Sequence, residues 1–252
     1  MYSLSPEHFE NRRREFMSRI GDQGVAIFVA NPHQSRSADT EYQYRPSSDV
    51  LYLSGFREPE AVIVLAPGHE EGDFAMFVRD RDEEAELWNG RRAGPGGARD
   101  TYGADAAFPL EELDEKLPEF LEHRDSLYYT FGNNEEFDKK VIGWMKSLRH
   151  RRGKPPAAPA AIIDARDVVN DMRVVKTAEE IELMRASVEL TAEAHVLAMK
   201  NCQPGTKEYE LQALIEYHFR KNGAEYPAYE SIVGAGNNAT VLHYTENRDT
   251  IE

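Results

Sequence analysis

Apolar residues change their period several times along the chain, and each change marks an element. Phe9, Phe16, Met17 and Ile20 recur at helical spacing on one face. Ser5 stands where an N-cap accepts, Pro6 in the first turn, and Gly21 where such a helix stops. An apolar run of strand length follows at Val25–Ala30. Val50–Ser54, Ala61–Ala66 and Phe74–Val78 read as three further strands, the last after a turn through Gly68 and Gly72. Leu110, Leu113, Leu117, Phe120 and Leu121 return to helical spacing, then come an aromatic strand at Ser126–Phe131 and a helix over Glu135–Leu148. The alternation predicts an α/β fold, a mixed or parallel sheet covered by helices.

Arg149–Ala161 is basic and rich in Pro and Ala, and by composition it reads as a domain boundary and a solvated loop. A strand at Ala160–Asp164 and a short helix near Arg166–Arg173 follow. Thr177 and Glu180 fit a capping box at the head of a helix that runs to about Asn201 and stops at Pro204–Gly205. Thr206 is expected to cap the next helix, whose stripe is Leu211, Leu214, Ile215, His218 and Phe219 and which ends at Asn222–Gly223. Beyond Tyr226–Pro227 the pattern turns to strands, Glu230–Val233 and Thr240–Thr245, around a Gly-rich turn. Two helices and an unfinished hairpin read as the opening of something larger, since so small a core supplies little stability.

The 252 residues allow one to two domains, and 40% apolar content suffices for a core. Thirty basic against 45 acidic side chains leave a net charge of −15, which argues against a general nucleic-acid binder. No apolar run approaches the roughly 20 residues of a membrane span. Arg12, Arg13 and Arg14 are followed by no apolar signal core, so the expected location is the cytoplasm. A single cysteine, Cys202, excludes an intrachain disulfide and any CxxC cage.

None of the eight histidines sits in HExxH or HxxEH, and no GxSxG occurs. His218, on an apolar stripe, reads as a packed, hydrogen-bonded residue, and His195 as structural. Cys202 stands at a helix C-terminus, where the dipole disfavours a thiolate. Gly94–Gly97 lacks the GK[ST] of a phosphate loop. Gly234–Ala239 matches GxGxxA, but β-rich sequence follows where a dinucleotide site needs a helix. Two polar-aromatic clusters have no simple packing explanation: Arg36–Gly55 and Tyr226–Asn247. Each fits a site wall or interface, and equally a surface loop or hairpin.

These clusters resemble the bacterial Xaa-Pro aminopeptidase (aminopeptidase P) family of the creatinase/prolidase/methionine aminopeptidase superfamily, and the likeness covers essentially the whole chain. Arg36–Asp39, Tyr42–Arg45, Ser48-Asp49, Tyr52 and Gly55-Phe56 resemble its amino-terminal signature, continued by Glu58–Val62 and Trp88–Arg92. Asp171–Arg173, Lys176 and Glu179–Ile181 resemble the approach to its catalytic domain; Tyr226-Pro227, Ile232–Gly234 and Leu242–Asn247 resemble that domain's first strands. The resemblance implies a creatinase-like mixed-sheet α/β domain over 1–172, then the opening part of a pita-bread (α+β) catalytic domain over 173–252. It also moves the boundary from the Arg149–Ala161 loop to about Met172, because strand Ala160–Asp164 otherwise lacks a sheet to join.

For activity, the resemblance implies hydrolysis of the bond between a first residue and a proline in second position. That tertiary amide has no N–H for an ordinary protease to read. It implies two divalent ions, usually manganese, bridged by a hydroxide and held by carboxylates and one histidine. Partners would be peptides with proline second, with no nucleic acid or membrane, and the protein would be a homo-oligomer. The family's ligands lie beyond the His243–Asn247 block, and the chain ends five residues past Asn247. No residue is therefore assigned as a metal ligand, Asp249 and Glu252 included, and the stretch alone is expected to be inactive. His243 matches a histidine beside the metals that contacts substrate or intermediate; its plainer role is to tie the hairpin to the sheet. Tyr229 is a pocket-wall candidate. Trp88 matches a tryptophan that in oligomeric members reaches a neighbouring subunit's site, with core packing as the alternative. A prolidase-type dipeptidase and a non-catalytic binding or oligomerisation module remain open as alternatives.

Overall fold

The computed structural model describes residues 4–150 and 155–252, so part of the basic Arg149–Ala161 segment lies outside the described residues. Two compact units are present, Ser5–Val175 and Lys176–Glu252.

The first unit opens with α1 (Pro6–Ile20), where the Ser5 hydroxyl accepts from the His8 amide at 3.2 Å and Gly21 ends the helix. There follow β1 (Gly24–Val29), a short hairpin of β2 (Ser35–Ser37) and β3 (Thr40–Glu41), and α2 (Ser48–Ser54). Next come β4 (Val62–Leu65), β5 (Phe74–Val78), α3 (Glu83–Asn89), α4 (Gly94–Asp100) and β6 (Ala106–Pro109). A 3₁₀ turn (Leu110–Glu112) leads into α5 (Leu113–Leu121), then β7 (Ser126–Tyr128), α6 (Glu135–Arg149), β8 (Ala161–Ile163) and α7 (Arg166–Val174).

Six strands form one mixed sheet in the order β6-β5-β4-β1-β7-β8. Strand β4 runs antiparallel to β1 and β5, with Ile27 opposite Val64 and Val62 opposite Phe77; the remaining pairs are parallel. Both faces of the sheet are covered. Ala26, Phe28, Ile63, Leu65 and Met76 pack with Phe16 of α1 and Leu53 of α2; their alternates Val25, Ile27, Val64 and Phe77 pack with Leu117 and Phe120 of α5 and Val141 of α6. Burial on two faces is why the central strands read as unbroken apolar runs. Strand β8 joins β7 with Ile162 opposite Leu127, so the sequence beyond the basic segment completes this sheet.

Val50–Ser54, expected as a strand, is helical. The segment is too short for periodicity to separate the two states. Its last carbonyls are taken by buried arginines: Arg12 Nη1 donates to the Tyr52 oxygen at 2.9 Å and Arg13 Nη1 to the Leu53 oxygen at 3.0 Å. Gly55 then closes the helix in the left-handed region, φ 72°.

In the second unit, α8 (Ala178–Asn201) begins with the expected capping box of Thr177 and Glu180 and packs along α9 (Glu208–Lys221). Lys207, not Thr206, is the N-cap of α9; the Thr206 hydroxyl instead accepts from the Gln203 amide in the preceding turn. The strands expected at Glu230–Val233 and Thr240–Thr245 do not form, and a 3₁₀ turn, Gly236–Thr240, takes in the first residue of the second. Side chains rather than a ladder satisfy backbone donors of this stretch, the Val233 and Ala235 amides among them.

Candidate functional site

The segment carrying the second sequence cluster is held by two buried polar side chains. Glu208, the first residue of α9, is fully buried. Its Oε1 accepts from the Ala235 amide at 2.8 Å and Asn238 Nδ2 at 3.1 Å; its Oε2 accepts from the Tyr244 hydroxyl at 2.7 Å and the Asp249 amide at 2.9 Å. A carboxylate has about four acceptor sites, and donors fill them here. Burial alone would raise the pKa of Glu208, but the hydrogen bonds from Tyr244, Ala235, Asn238 and Asp249 outweigh it and bring it down to about 2. The same bond works oppositely on the donor: the Tyr244 phenol is raised because it donates to Glu208.

Asn247 is the second anchor, buried with φ 47°, a left-handed conformation that Asn tolerates better than most residues. Its Oδ1 accepts from the Val233 amide at 3.0 Å, while Nδ2 donates to Gln212 Oε1 and the Ser231 carbonyl, each at 2.8 Å. Here Gln212 belongs to α9, so Asn247 ties the loop to the same helix as Glu208. Near the chain end, Lys207 and Thr250 form an antiparallel bridge, and the Ile251 amide donates to the Thr206 carbonyl at 2.8 Å.

The residues that sequence pointed to lie outside these anchors. His243 and Tyr229 are exposed, Tyr229 by 75%, and His243 follows Leu242 in the loop held by Tyr244 and Asn247. Trp88 belongs to the other unit, on α3, where it is 80% exposed, so its indole is not a core group of this chain. His218 is half-buried with Nε2 3.2 Å from Glu193 Oε2, and His195 Nδ1 lies 2.8 Å from the Thr191 carbonyl within its own helix. Cys202 is exposed. Gly234–Ala239 opens no α-helix, so the dinucleotide pattern lacks its structural context.

Glu208 escaped the sequence reading because an acid in the first turn of a helix is ordinary dipole complementation. Among the described residues no group of three or more His, Cys, Asp or Glu converges where an ion could be held. The carboxylate of Glu208 is saturated, and Asp249 Oδ2 accepts from Asn238 at 2.7 Å. The described residues do not make up the two-ion centre that the resemblance implies, and no catalytic step is assigned through it.

Residues 9–130 match the aminopeptidase P N-terminal domain, and residues 182–252 match metallopeptidase family M24. The chain is 40% identical to the Xaa-Pro aminopeptidase of Escherichia coli K12 over 98% of its own length and 56% of that protein. It is 32% identical to the Xaa-Pro aminopeptidase of Haemophilus influenzae over 98% of this chain and 55% of that one. The solved structure of Pseudomonas aeruginosa aminopeptidase PepP superposes with a TM-score of 0.97 at 42% identity, covering all of this chain and 57% of that one. The chain thus spans a little over half the length of these relatives. With a match to the aminopeptidase P N-terminal domain over 9–130 and to M24 metallopeptidase sequence over 182–252, the chain is similar to aminopeptidase P along most of its length.

Proposed function

We propose that this chain is the amino-terminal portion of a manganese-dependent aminopeptidase that releases the first residue from peptides with proline in second position. The observation that carries the reading is end-to-end likeness to proteins named Xaa-Pro aminopeptidase, 40% identity over 98% of the chain, combined with coverage of only 56% of the relative. In this reading the domain through about Met172 shapes the approach to the site and supports a homo-oligomer. The saturated Glu208 and Asn247 hold the His243 loop in place, and the catalytic carboxylates come from sequence beyond Glu252. His243, exposed and set on that anchored loop, contacts the substrate or its tetrahedral intermediate as a hydrogen-bond donor. Tyr229 offers an aromatic wall beside the peptide, and the exposed Trp88 serves a neighbouring subunit's site.

The test compares this 252-residue chain with a chain extended through the downstream reading frame. Each is assayed with manganese on a peptide whose second residue is proline and on the same peptide with alanine there. Release of the first residue by the extended chain alone, and only from the proline peptide, is expected. An extended chain without that activity, or a 252-residue chain that has it, overturns the reading.

A further inference from the structure

Helix α8 carries apolar residues on two opposite sides. Leu183, Leu190, Ala194 and Leu197 make the less exposed stripe, and α8 packs along α9. Glu193 marks the edge of that side by pairing with His218 of α9. About half a turn away, Ile181, Met184, Val188 and Met199 recur at helical spacing and stand 46%, 54%, 65% and 68% exposed. Glu182, Arg185, Glu189 and Lys200 fall between the stripes and form one polar edge. A helix whose apolar residues wrap this far around is built for burial on more than one side. Among its own residues only Ala194 is buried.

We infer that the Ile181–Met199 stripe is an internal docking face, and that its occupant is the part of the polypeptide beyond Glu252. The inference rests on the longer polypeptide of the proposed function. Its support is that the M24 match begins at residue 182, within α8, while roughly two fifths of the superposed P. aeruginosa chain, of which 57% is covered, has no counterpart here. A covering segment of the same domain would pack an apolar surface on the stripe and leave the polar edge wet.

Cysteine accessibility tests this in the 252-residue chain and in the extended chain, both with Cys202→Ser. V188C reports the stripe and E189C the polar edge, each reacted with a maleimide at low micromolar protein. V188C is expected to react as fast as E189C in the 252-residue chain. In the extended chain it should slow by about 100-fold while E189C stays fast, as for a group reached only through local opening. Equal rates at both positions in the extended chain overturn the inference. So does concentration-dependent protection of V188C in the 252-residue chain, which would make a second copy the occupant. An extended chain that is active with V188C still fast removes this inference alone; one that protects V188C but cleaves no Xaa-Pro peptide removes the proposed function alone.

Discussion

Of the two side chains that hold the loop carrying His243, the Glu208 carboxylate is the one whose hold depends on pH. The folded pKa of Glu208, about 2, lies below its ordinary 4.5, so its contribution is present above 4.5 and is lost as pH falls toward 2. Amide exchange at Ala235 and Asp249, which donate to that carboxylate, should show protection at neutral pH that falls through this window. Glu208→Gln should remove the pH dependence and reduce protection by roughly 10-fold even at neutral pH, because charged acceptors are the stronger ones. Protection unchanged down to pH 2 would show that another group holds the loop. Asn247 allows a cleaner dissection. Asn247→Gly keeps the left-handed backbone and loses the side-chain bonds, whereas Asn247→Ala loses both. Proteolysis of the 230–247 loop should therefore rank wild type slowest, Gly intermediate and Ala fastest, the last two separated by about 1 kcal/mol. Neither anchor was legible as such in the sequence. A buried role for Glu208 depends on donors 27 to 41 positions away, and no local period encodes them.

At the scale of elements, the sequence was readable wherever an amphipathic period or a two-sided apolar run existed, as in α1, β4, β5 and α6, or where a capping box marked a helix start, as in α8. It failed where tertiary partners chose the state. Helix α2 reads as a strand until Arg12 and Arg13 arrive from α1 to take its terminal carbonyls. Arg13 also lies 4.0 Å from the centre of the Phe74 ring, and burial lowers its pKa to about 10. Where strands were expected at 230–233 and 240–245, side chains anchor the segment instead of a ladder: Asn247 takes the Val233 amide, and Glu208 takes the Ala235 amide and the Tyr244 hydroxyl. Gly55 tests the α2 assignment directly. A Cβ there would lie 2.8 Å from the Phe9 ring at φ 72°, so Gly55→Ala meets both backbone strain and a clash. Gly68, at φ 69° with open space around it, meets only the first. Urea unfolding followed by the fluorescence of Trp144 in a Trp88→Phe background should show Gly68→Ala losing about 1 kcal/mol and Gly55→Ala at least about 2 kcal/mol. Equal losses would mean that Phe9 yields freely and that α1 and α2 are loosely packed.

For the molecule as a whole, charge and composition narrowed the classes, but separated sequence blocks in fixed order carried the family resemblance. The catalytic chemistry stayed out of reach for a physical reason: an ion centre needs several ligands converging on one point, and no such group forms among the described residues. Mass action turns this into a measurement. A ligand that binds only the folded state stabilises it by about 2.7 kcal/mol at a hundred times its dissociation constant. Each kcal/mol moves the melting temperature by about 4–8 °C for a domain of 60–100 residues and by about 2–4 °C for one of 150–250 residues. Manganese added to the 252-residue chain should therefore leave its melting temperature unchanged within about 1 °C, since no multidentate site is present among the described residues. In the extended chain, whose added sequence would complete the centre, saturating manganese should raise the transition of the Lys176–Glu252 unit by several degrees and leave that of the Ser5–Val175 unit in place. Exchange of amides in α9 and in β4 reads the two units separately. A manganese-dependent rise in the 252-residue chain would relocate the ion centre to residues already present and overturn the division of labour between this chain and the sequence beyond Glu252.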